Sequence, residues 1–572
     1  MKFDDIMITI GEFGRYQRRT YNLCCLFAFL TAFHLLASVF ITGSADHWCK
    51  IPEWDEVNCT EWGYNTTEEC QELKRSIGIP SNISETGDVT YAQCSRYNLS
   101  GIDYFRPDLD LSGRDVVSCD AGWVYDKSVF QSSIVIDFDL VCGSSYLTSV
   151  SQSLYFLGVL IGSLVFGHIS DIFGRQKSLF FSCGFILVTG TAVAFSPNVW
   201  VYAILYLLVG AAMYGTLISS FVLGTEMVGP SKRYLAGMII ELYFSVGYML
   251  LAAIAYLIRN WRHLQLFISL ISLAYFMLYP FLPESARWLM AKKKLDPAEK
   301  IIRKAAKVNR VKLPDILFEE REFMNESVGN TGRQPNVFDL FRTPRLRRNT
   351  LNLIFNWIVN TLVYYGLSLS TDSLGVDIYL AFFVSGAVEI PAYTSVLFGI
   401  EYFGRRPMIV SYMIAGGIAC LATIFIPAGP GRVAVAMIGK FGIAGSFAIA
   451  YLYPAEIFPT PIRAAGLGMC AMASRVAGMI SPLIILLGDY WKPLPFLIFG
   501  ISSILAGILA LFLPETKGRR VPETIEEGEN FGRAPLNDPG DDEYNMSESP
   551  EMTSPGNFKY QKAPDVDTAI ET

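Results

Sequence analysis

The chain has 572 residues, of which 52% are hydrophobic and only 17% are charged. This balance excludes an ordinary soluble protein of this length, because such a protein carries more charge and fewer long apolar runs. The net charge of −7 says nothing about a ligand, since residues 521–572 alone hold thirteen acids and three bases. The composition indicates a membrane protein that crosses the bilayer many times and carries an acidic tail.

Twelve stretches of the chain are long enough and apolar enough to cross a bilayer as helices, which takes about 20 residues. A polar segment, 1–20, precedes the first stretch and has no signal-peptide pattern. We therefore expect an all-α membrane protein with both termini in the cytoplasm. The predicted spans are 21–41, 147–166, 179–195, 199–223, 234–258, 264–282, 351–369, 379–400, 408–426, 433–453, 464–487 and 494–513.

A polar segment of about a hundred residues, 42–144, follows the first span and combines cysteines with glycosylation sequons. An even number of cysteines together with sequons is typical of an oxidising, extracellular segment. Zinc binding is disfavoured, because no two cysteines are spaced as Cys-x-x-Cys. We expect three disulfides, whose pairing the sequence leaves open. The cysteines are Cys49, Cys59, Cys70, Cys94, Cys119 and Cys142, and the sequons are at Asn58, Asn65, Asn82 and Asn98.

The remaining polar segments fix the predicted topology. Segment 290–348 is basic at both ends, with Lys292-Lys293-Lys294 and Arg347-Arg348, and basic loops lie on the cytoplasmic side. It separates a first half, 145–289 with spans 2–6, from a second half, 349–518 with spans 7–12. The tail, 519–572, is rich in Pro, Glu and Asp, which predicts a disordered cytoplasmic segment.

A short charged turn at 167–177, after the second span, recurs 230 residues later at 397–407. Further landmarks recur in the same order, including Pro283-Glu284, which returns as Pro514-Glu515. Repetition in the same order at an offset of 230 or 231 residues predicts two homologous six-span halves, and paired halves of this kind are a transporter architecture. The residues of this predicted gating motif are Gly167, Asp171, Gly174, Arg175, Lys177, Glu226 and Arg233 in the first half, with Glu401, Gly404, Arg405, Glu456 and Arg463 in the second.

The turn Gly-x-x-x-Asp-x-x-Gly-Arg-x-Lys at 167–177 resembles the signature of the major facilitator superfamily. Within that superfamily, Pro-Glu-Ser-Ala-Arg-Trp-Leu at 283–289 and Leu-Pro-Glu-Thr-Lys-Gly at 513–518 are similar to the organic ion transporters of solute carrier family 22. Segments 35–40, 221–226, 246–251 and 473–475 most resemble its carnitine and organic cation branch. The likeness covers nearly the whole chain except the tail. It implies a twelve-helix major facilitator fold in the plasma membrane.

The chain departs from sodium-coupled carnitine carriers, which are rich in asparagine where this chain has Thr31, His34 and Thr216. The coupling ion, Na⁺ or H⁺, therefore stays open. The oligomeric state is open as well.

Four charged residues lie deep in predicted spans: Glu241, Glu389, Lys440 and Arg475. A charge at this depth costs about 2.5–3.5 kcal/mol on insertion scales. Either the four charges pair with one another or they line a substrate cavity. The resemblance implies that the positions of Glu241, Glu389 and Arg475 face the substrate path. It also implies that anion and carnitine carriers have arginine at position 475, whereas cation-selective members tend to have an acid there.

This mixture of charges suggests a zwitterionic substrate. Arg475 would hold a carboxylate by a planar two-point contact, and the two glutamates would offset a quaternary ammonium. Trp357 and Tyr364 are seven residues apart on one helical face, and Tyr365 is adjacent. Their rings would attract the ammonium by about 0.5–2 kcal/mol each, although ordinary helix packing explains each ring equally well.

The acids and arginines of the gating motif either anchor the spans at the membrane interface or form a gate. We favour the gate, because the same residues occur in both halves. In that hypothesis, carboxylate–arginine pairs cross the seam between the halves, hold the outward-open state and break when the halves rock.

We therefore expect a secondary-active carrier of organic cations or zwitterions, such as carnitine-like quaternary ammonium compounds, that works by alternating access. An organic anion exchanger relying on Arg475 and Lys440 is the first alternative, and a non-transporting receptor is the second. The sequence has no phosphate-binding glycine loop, no nucleophile–base pattern and no metal-ligand grouping of histidines. We expect no enzyme activity, no cofactor, no metal and no nucleic-acid partner. The expected partners are a small organic ion and the lipid bilayer.

Overall fold

The computed structural model describes residues 3–54, 59, 66–83, 89–99, 105–106, 109, 111, 113–314, 317–318 and 336–532. Two predicted sequons, Asn58 and Asn65, lie outside these residues, and so does the side chain of Asn82. Asn98 directly follows the strand Ser95–Tyr97. The tail beyond residue 532 lies outside them as well.

The first half of the bundle contains six spans. Span 1 is built from three consecutive helical segments, Arg15–Cys25, Phe27–Leu36 and Ser38–Ile41. Spans 2 to 6 are Tyr146–Phe173, Arg175–Ala194, Val199–Glu226, Arg233–Leu257 and Trp261–Phe276. Asparagine side chains cap two of them: Asn198 accepts a hydrogen bond from Val201 at the start of span 4, and Asn260 accepts from Arg262 at the start of span 6.

The second half repeats this arrangement. Spans 7 to 12 are Pro344–Leu369, Ile378–Phe403, Arg405–Phe425, Pro430–Ile457, Arg463–Leu486 and Leu494–Ala510. In the described part of the chain, nine helices are long and apolar enough to cross a membrane on their own. Spans 6 and 12 are shorter, and span 7 begins with the basic sequence 345–348. Short helices at Phe3–Thr9, Ala286–Ala291, Leu295–Asn309 and Ile525–Asn530 cover the end of the bundle where the repeated turns lie.

Spans 2 and 8 continue further than the apolar pattern predicts. Span 2 passes through Gly167 and Asp171 and stops at Gly174, which has φ +112°. Span 8 likewise stops at Gly404, with φ +87°. A glycine with positive φ reverses the chain without a Cβ clash, so these two residues make the turns. The prediction that Gly167 also makes the turn is wrong: it is helical, and a Cβ there would meet no atom within 4 Å.

Spans 2 and 4 pack with their backbones in contact. A Cβ added at Gly158 or Gly162 of span 2 would run into the carbonyl oxygen of Leu207 or Ala211 on span 4. A Cβ at Gly210 of span 4 would meet the carbonyl oxygen of Tyr155 in return. Small residues at helix contacts are the usual means of close packing inside a membrane. Here they hold span 2 directly against span 4.

The segment after span 1 forms a small domain held by disulfides. Three two-stranded antiparallel sheets pair β1 (His47–Cys49) with β6 (Trp123–Tyr125), β2 (Ser81–Ile83) with β3 (Val89–Tyr91), and β4 (Ser95–Tyr97) with β5 (Val116–Ser118). The helix Thr67–Gly78 packs beside them. The expected three disulfides are present and join Cys49 to Cys119, Cys59 to Cys70, and Cys94 to Cys142. His47 lies beside Cys142, whose sulfur is already bonded to Cys94.

We call the end of the bundle that carries this domain the loop end, and the opposite end, with the repeated turns, the motif end.

Arg96 holds the domain together through ion pairs with two acids, because it lies 3.1 Å from Glu53 and 3.0 Å from Asp120. The hydrogen bond from Arg96 lowers the pKa of the Asp120 carboxyl below its ordinary value.

Candidate functional site

The centre of the bundle contains a buried ion pair between spans 8 and 10. Glu389 Oε1 lies 3.0 Å from Lys440 Nζ, and the two side chains are 0% and 1% exposed. Tyr364 donates a hydrogen bond of 2.7 Å to Oε1, and Ser245 donates one of 3.0 Å to Oε2. Lys440 donates to Ser368 Oγ at 2.5 Å, and its Nζ lies 3.4 Å from the centre of the Tyr364 ring. Both charges are therefore fully partnered inside the protein.

The ion pair also joins the two halves of the bundle. Ser245 belongs to span 5 of the first half, whereas Glu389 belongs to span 8 of the second half. One turn further along span 5, Tyr248 donates a hydrogen bond of 3.0 Å to Ser385 of span 8. The alternative in which central charges pair with one another holds for Glu389 and Lys440. The bonds of Ser245 to Glu389 and of Tyr248 to Ser385 position span 5 against span 8.

Arg475 lies midway along span 11 and has a different environment. Its guanidinium donates hydrogen bonds to the carbonyl oxygen of Ala471 and to the hydroxyl of Tyr214 on span 4. The guanidinium carbon is 4.4 Å from the centre of the Tyr214 ring. Within the residues that the structure describes, no carboxylate lies within 4.0 Å of Arg475. The positive charge is held by a ring and a hydroxyl and has no acidic partner.

Glu241 is the matching negative charge in the first half. It is half-buried on span 5, one turn before Ser245, whose Oγ lies 3.0 Å from the Glu241 carbonyl oxygen. In the described part of the chain, no lysine or arginine lies within 4.0 Å of its carboxylate. Of the four central charges, Glu241 and Arg475 are thus the two without an ion-pair partner, and they belong to opposite halves.

Aromatic side chains surround this region. Trp357 lies 4.6 Å from Tyr451 between ring centroids, and Tyr364 stacks on Phe447 at 5.6 Å. Trp357 also lies 6.3 Å from Phe447, so Trp357 and Tyr364 share one face of span 7, as their spacing predicts. Tyr365 instead packs on Phe156 of span 2 at 4.7 Å. Sequence reasoning missed Tyr214 and Phe156, and it missed Phe447 and Tyr451, whose i, i+4 spacing on span 10 was the available signal.

The gating motif forms two equivalent clusters at the motif end. Arg175 Nε lies 3.2 Å from Glu226, and Arg175 Nη1 lies 2.8 Å from Asp171. In the second half, Arg405 lies 2.8 Å from Glu456, with the same separation of 51 residues in sequence. Each pair stays within one half. The pairs across the seam that we expect in the outward-open state are not among these contacts, so that expectation stays a prediction.

Two glutamates that the sequence analysis left without a role complete these clusters. Glu284 accepts hydrogen bonds from the backbone N–H groups of Arg175 and Gln176 at the start of span 3. Glu515 accepts from the N–H groups of Arg405 and Arg406 at the start of span 9. A carboxylate at a helix N-terminus satisfies unpaired donors and complements the helix dipole. The Pro-Glu pair that recurs in both halves is the sequence feature from which a role for these two glutamates could have been predicted.

The remaining motif residues are less alike in the two halves. Arg233 lies 2.7 Å from Asp4, whereas Arg463 bonds to the hydroxyl of Thr460 at 2.9 Å. Glu401 and Lys177 are exposed. Among the described residues, neither makes a hydrogen bond or an ion pair, so Glu401 does not reproduce the contact between Asp171 and Arg175.

We expect the two acids around Arg175 to differ in importance. Glu226 is 15% exposed and Asp171 is 70% exposed. Glu226→Gln should destabilise the protein by about 1.5–3 kcal/mol, because it removes a shielded charge-assisted contact. Asp171→Asn should cost only about 0.2–1 kcal/mol, as exposed ion pairs do. Thermal unfolding of the purified variants measures this order, with Glu456→Gln as the matched change in the other half, and equal losses for Glu226→Gln and Asp171→Asn would contradict it.

Comparison with known proteins agrees with this architecture. The sugar (and other) transporter family matches residues 84–527. An organic cation transporter protein of Drosophila melanogaster is 41% identical over 547 residues, which is 94% of this chain and 96% of that one. Solute carrier family 22 member 21 of Mus musculus is 34% identical, covering 92% of this chain and 93% of that one. A beta-alanine transporter of Drosophila melanogaster is also 34% identical, covering 92% and 89%.

Among solved structures, the xylose transporter XylE from E. coli in a partially occluded inward-open conformation superimposes with a TM-score of 0.57 at 17% identity. The match covers 88% of this chain and 99% of that one, and it shows the major facilitator fold. The twelve-span bundle with its repeated turns is thus a multi-pass membrane transporter, not an enzyme. The chain belongs to the sugar (and other) transporter family of the major facilitator superfamily and, within it, to the organic ion transporters of solute carrier family 22.

Proposed function

We propose that this protein is a secondary-active carrier of organic cations or zwitterions, with carnitine-like quaternary ammonium compounds as the preferred class. The observation that carries the proposal is the pair of opposite central charges, Glu241 and Arg475, that have no ion-pair partner among the described residues. A substrate with a carboxylate at one end and an ammonium at the other would complement both.

The aromatic side chains fit the ammonium end of such a substrate. Trp357 and Tyr451 form an edge-to-face pair, and Phe447 lies beside Trp357 at 6.3 Å, whereas the ring of Tyr364 is already occupied by Lys440 and Phe447. Ring faces attract desolvated cations, and clustered rings are the usual cage for quaternary ammonium groups. Arg475 supplies the planar donor pair that suits a carboxylate. Its present partner, the Tyr214 hydroxyl, is neutral, so a substrate carboxylate is the stronger acceptor.

We propose that transport proceeds by alternating access and that the structure represents a state closed at the loop end. There, Phe40 of span 1 stacks on Tyr379 of span 8 at 5.4 Å, and Tyr379 donates a hydrogen bond to the carbonyl oxygen of Val129. Ser153 of span 2 bonds to the carbonyl oxygen of Met479 on span 11. Rocking of the halves would break these contacts. The disulfides and sequons support placing the loop end outside the cell, in a plasma-membrane protein.

An organic anion exchanger of the same fold is the alternative, and it relies on Arg475. Its second predicted cation, Lys440, is already neutralised by Glu389 at 3.0 Å, which weakens this reading. A non-transporting receptor is the further alternative, and it predicts ligand binding without flux.

Uptake of labelled carnitine, tetraethylammonium and urate into cells that express the protein tests the proposal. We expect uptake of carnitine and of tetraethylammonium, each measured with and without sodium to find the coupling ion. Mock-transfected cells and surface labelling provide the background and the amount of protein. Uptake of urate alone would support the anion exchanger and overturn the proposal, and binding without uptake of any of the three would support the receptor.

A further inference from the structure

An apolar groove runs along the outside of the bundle between spans 3 and 6, near the motif end. It has a volume of about 540 Å³ and is lined by Phe181, Gly184 and Val188 of span 3 and by Phe276 and Tyr279 at the end of span 6. Phe181 is 58% exposed and Val188 is 67% exposed. A groove with this lining on a membrane-embedded surface fits a lipid acyl chain.

A lysine lies at the motif end of the same groove. Lys177, Phe181, Gly184 and Val188 follow one another at helical spacings of four, three and four residues, so they lie on one face of span 3. Lys177 is exposed, and in the described part of the chain it forms no hydrogen bond or ion pair. The neighbouring Gln176 donates a 3.1 Å hydrogen bond to the carbonyl oxygen of Tyr279, which fixes this end of the groove.

Lys177 takes no part in the ion-pair cluster of its own turn. That cluster satisfies Arg175 with Asp171 and Glu226, at 2.8 and 3.2 Å. Further exposed bases, Lys292 and Lys293, follow the short helix Ala286–Ala291, whose Trp288 bonds to the carbonyl oxygen of Asp171. The charge of Lys177 is therefore available to an outside partner at the motif end of the groove.

We propose that this groove binds an anionic phospholipid, with one acyl chain along Phe181 and Val188 and the headgroup on Lys177. Basic residues beside an apolar groove between spans are how membrane proteins select anionic headgroups, which are concentrated in the cytoplasmic leaflet. The site lies on the outer surface of the first half, away from Glu241 and Arg475, and does not depend on which substrate is carried.

Native mass spectrometry of the full-length protein with equal amounts of phosphatidylserine and phosphatidylcholine of matched chains tests the proposal. We expect phosphatidylserine to be retained about fivefold more, equivalent to about 1 kcal/mol for one basic residue at an anionic surface. Lys177→Gln should remove the preference. Lys232→Gln should keep it, because Lys232 is an exposed lysine at the same end of the bundle but lies in the link before span 5.

The groove itself is tested by filling it. Gly184→Leu should reduce retention of both lipids, because a Cβ at this position already comes within 3.3 Å of the Phe276 ring. Val188→Trp fills the groove from its exposed rim. It is the variant for the same measurement if Gly184→Leu does not fold. Equal retention of the two lipids by the wild type, or equal loss in Lys177→Gln and Lys232→Gln, would overturn the headgroup assignment. Unchanged retention in both groove variants would overturn the acyl-chain assignment.

Discussion

Lys440→Met should destabilise the protein by about 3–5 kcal/mol, because it leaves the buried carboxylate of Glu389 without its cation. The side chain of Glu389 is 0% exposed, so water cannot replace the lost partner. The two remaining hydrogen bonds, from Tyr364 and Ser245, are neutral donors and compensate only in part. Thermal unfolding of the detergent-purified variant, monitored by fluorescence, measures the loss.

The double variant Lys440→Met with Glu389→Gln provides the control. Removing both charges should recover much of the stability, since burying an ion pair costs nearly as much as the pair returns. Lys492→Met, in the link between spans 11 and 12, should change stability little. If Lys440→Met alone were as stable as the wild type, the buried pair would not stabilise the contact between spans 8 and 10.

Glu241→Gln and Arg475→Gln should both reduce uptake of carnitine, but only Glu241→Gln should also reduce uptake of tetraethylammonium. Glu241→Gln should reduce uptake of tetraethylammonium and carnitine by roughly 10- to 100-fold, the equivalent of a charged contact of about 1.5–3 kcal/mol. Arg475→Gln should reduce uptake of carnitine by a similar factor and spare tetraethylammonium, which has no carboxylate. Uptake rates normalised to surface protein give both comparisons.

Arg475→Lys is the matched control for the arginine. It keeps the charge but loses the planar donor pair and the contact with the Tyr214 ring, so carnitine uptake should recover only in part. Equal losses for carnitine and tetraethylammonium in Arg475→Gln would mean that Arg475 maintains the packing of spans 4 and 11 instead of holding a carboxylate.

The sequence was sufficient for the twelve-span architecture because hydropathy and an internal repeat both report on it directly. It was less informative about where spans end. Apolar runs stop near residues 166 and 400, yet spans 2 and 8 continue to Phe173 and Phe403. In span 2, Asp171 of the last turn accepts a hydrogen bond from Arg175 at the bundle end, so the helix continues beyond its apolar stretch. Only the two positive-φ glycines, Gly174 and Gly404, mark the ends.

The candidate site could be predicted as a set of residues but not as a set of contacts. Depth in a span singled out Glu241, Glu389, Lys440 and Arg475 as the charged residues inside the bundle. Which acid pairs with which base depends on the rotation of each helix and on uncharged partners such as Ser245 and Tyr214. A search for charged residues inside the spans does not select these partners. The repeat likewise identified Arg175 and Arg405, but repetition alone does not tell whether equivalent residues bond within a half or between halves.

The carboxylate caps of Glu284 and Glu515 have a mechanical consequence for this carrier. Each cap ties the turn between two spans to the chain that follows the last span of the same half. Bending within a half would break several charge-assisted bonds at once, so each half is stiff. The flexible part of the bundle is then the seam between the halves, where Ser245 and Tyr214 bond to the other half. In the proposed alternating-access cycle, a substrate carboxylate that displaces Tyr214 from Arg475 would loosen a contact between the two halves, so that substrate binding and the motion of the halves would use the same part of the molecule.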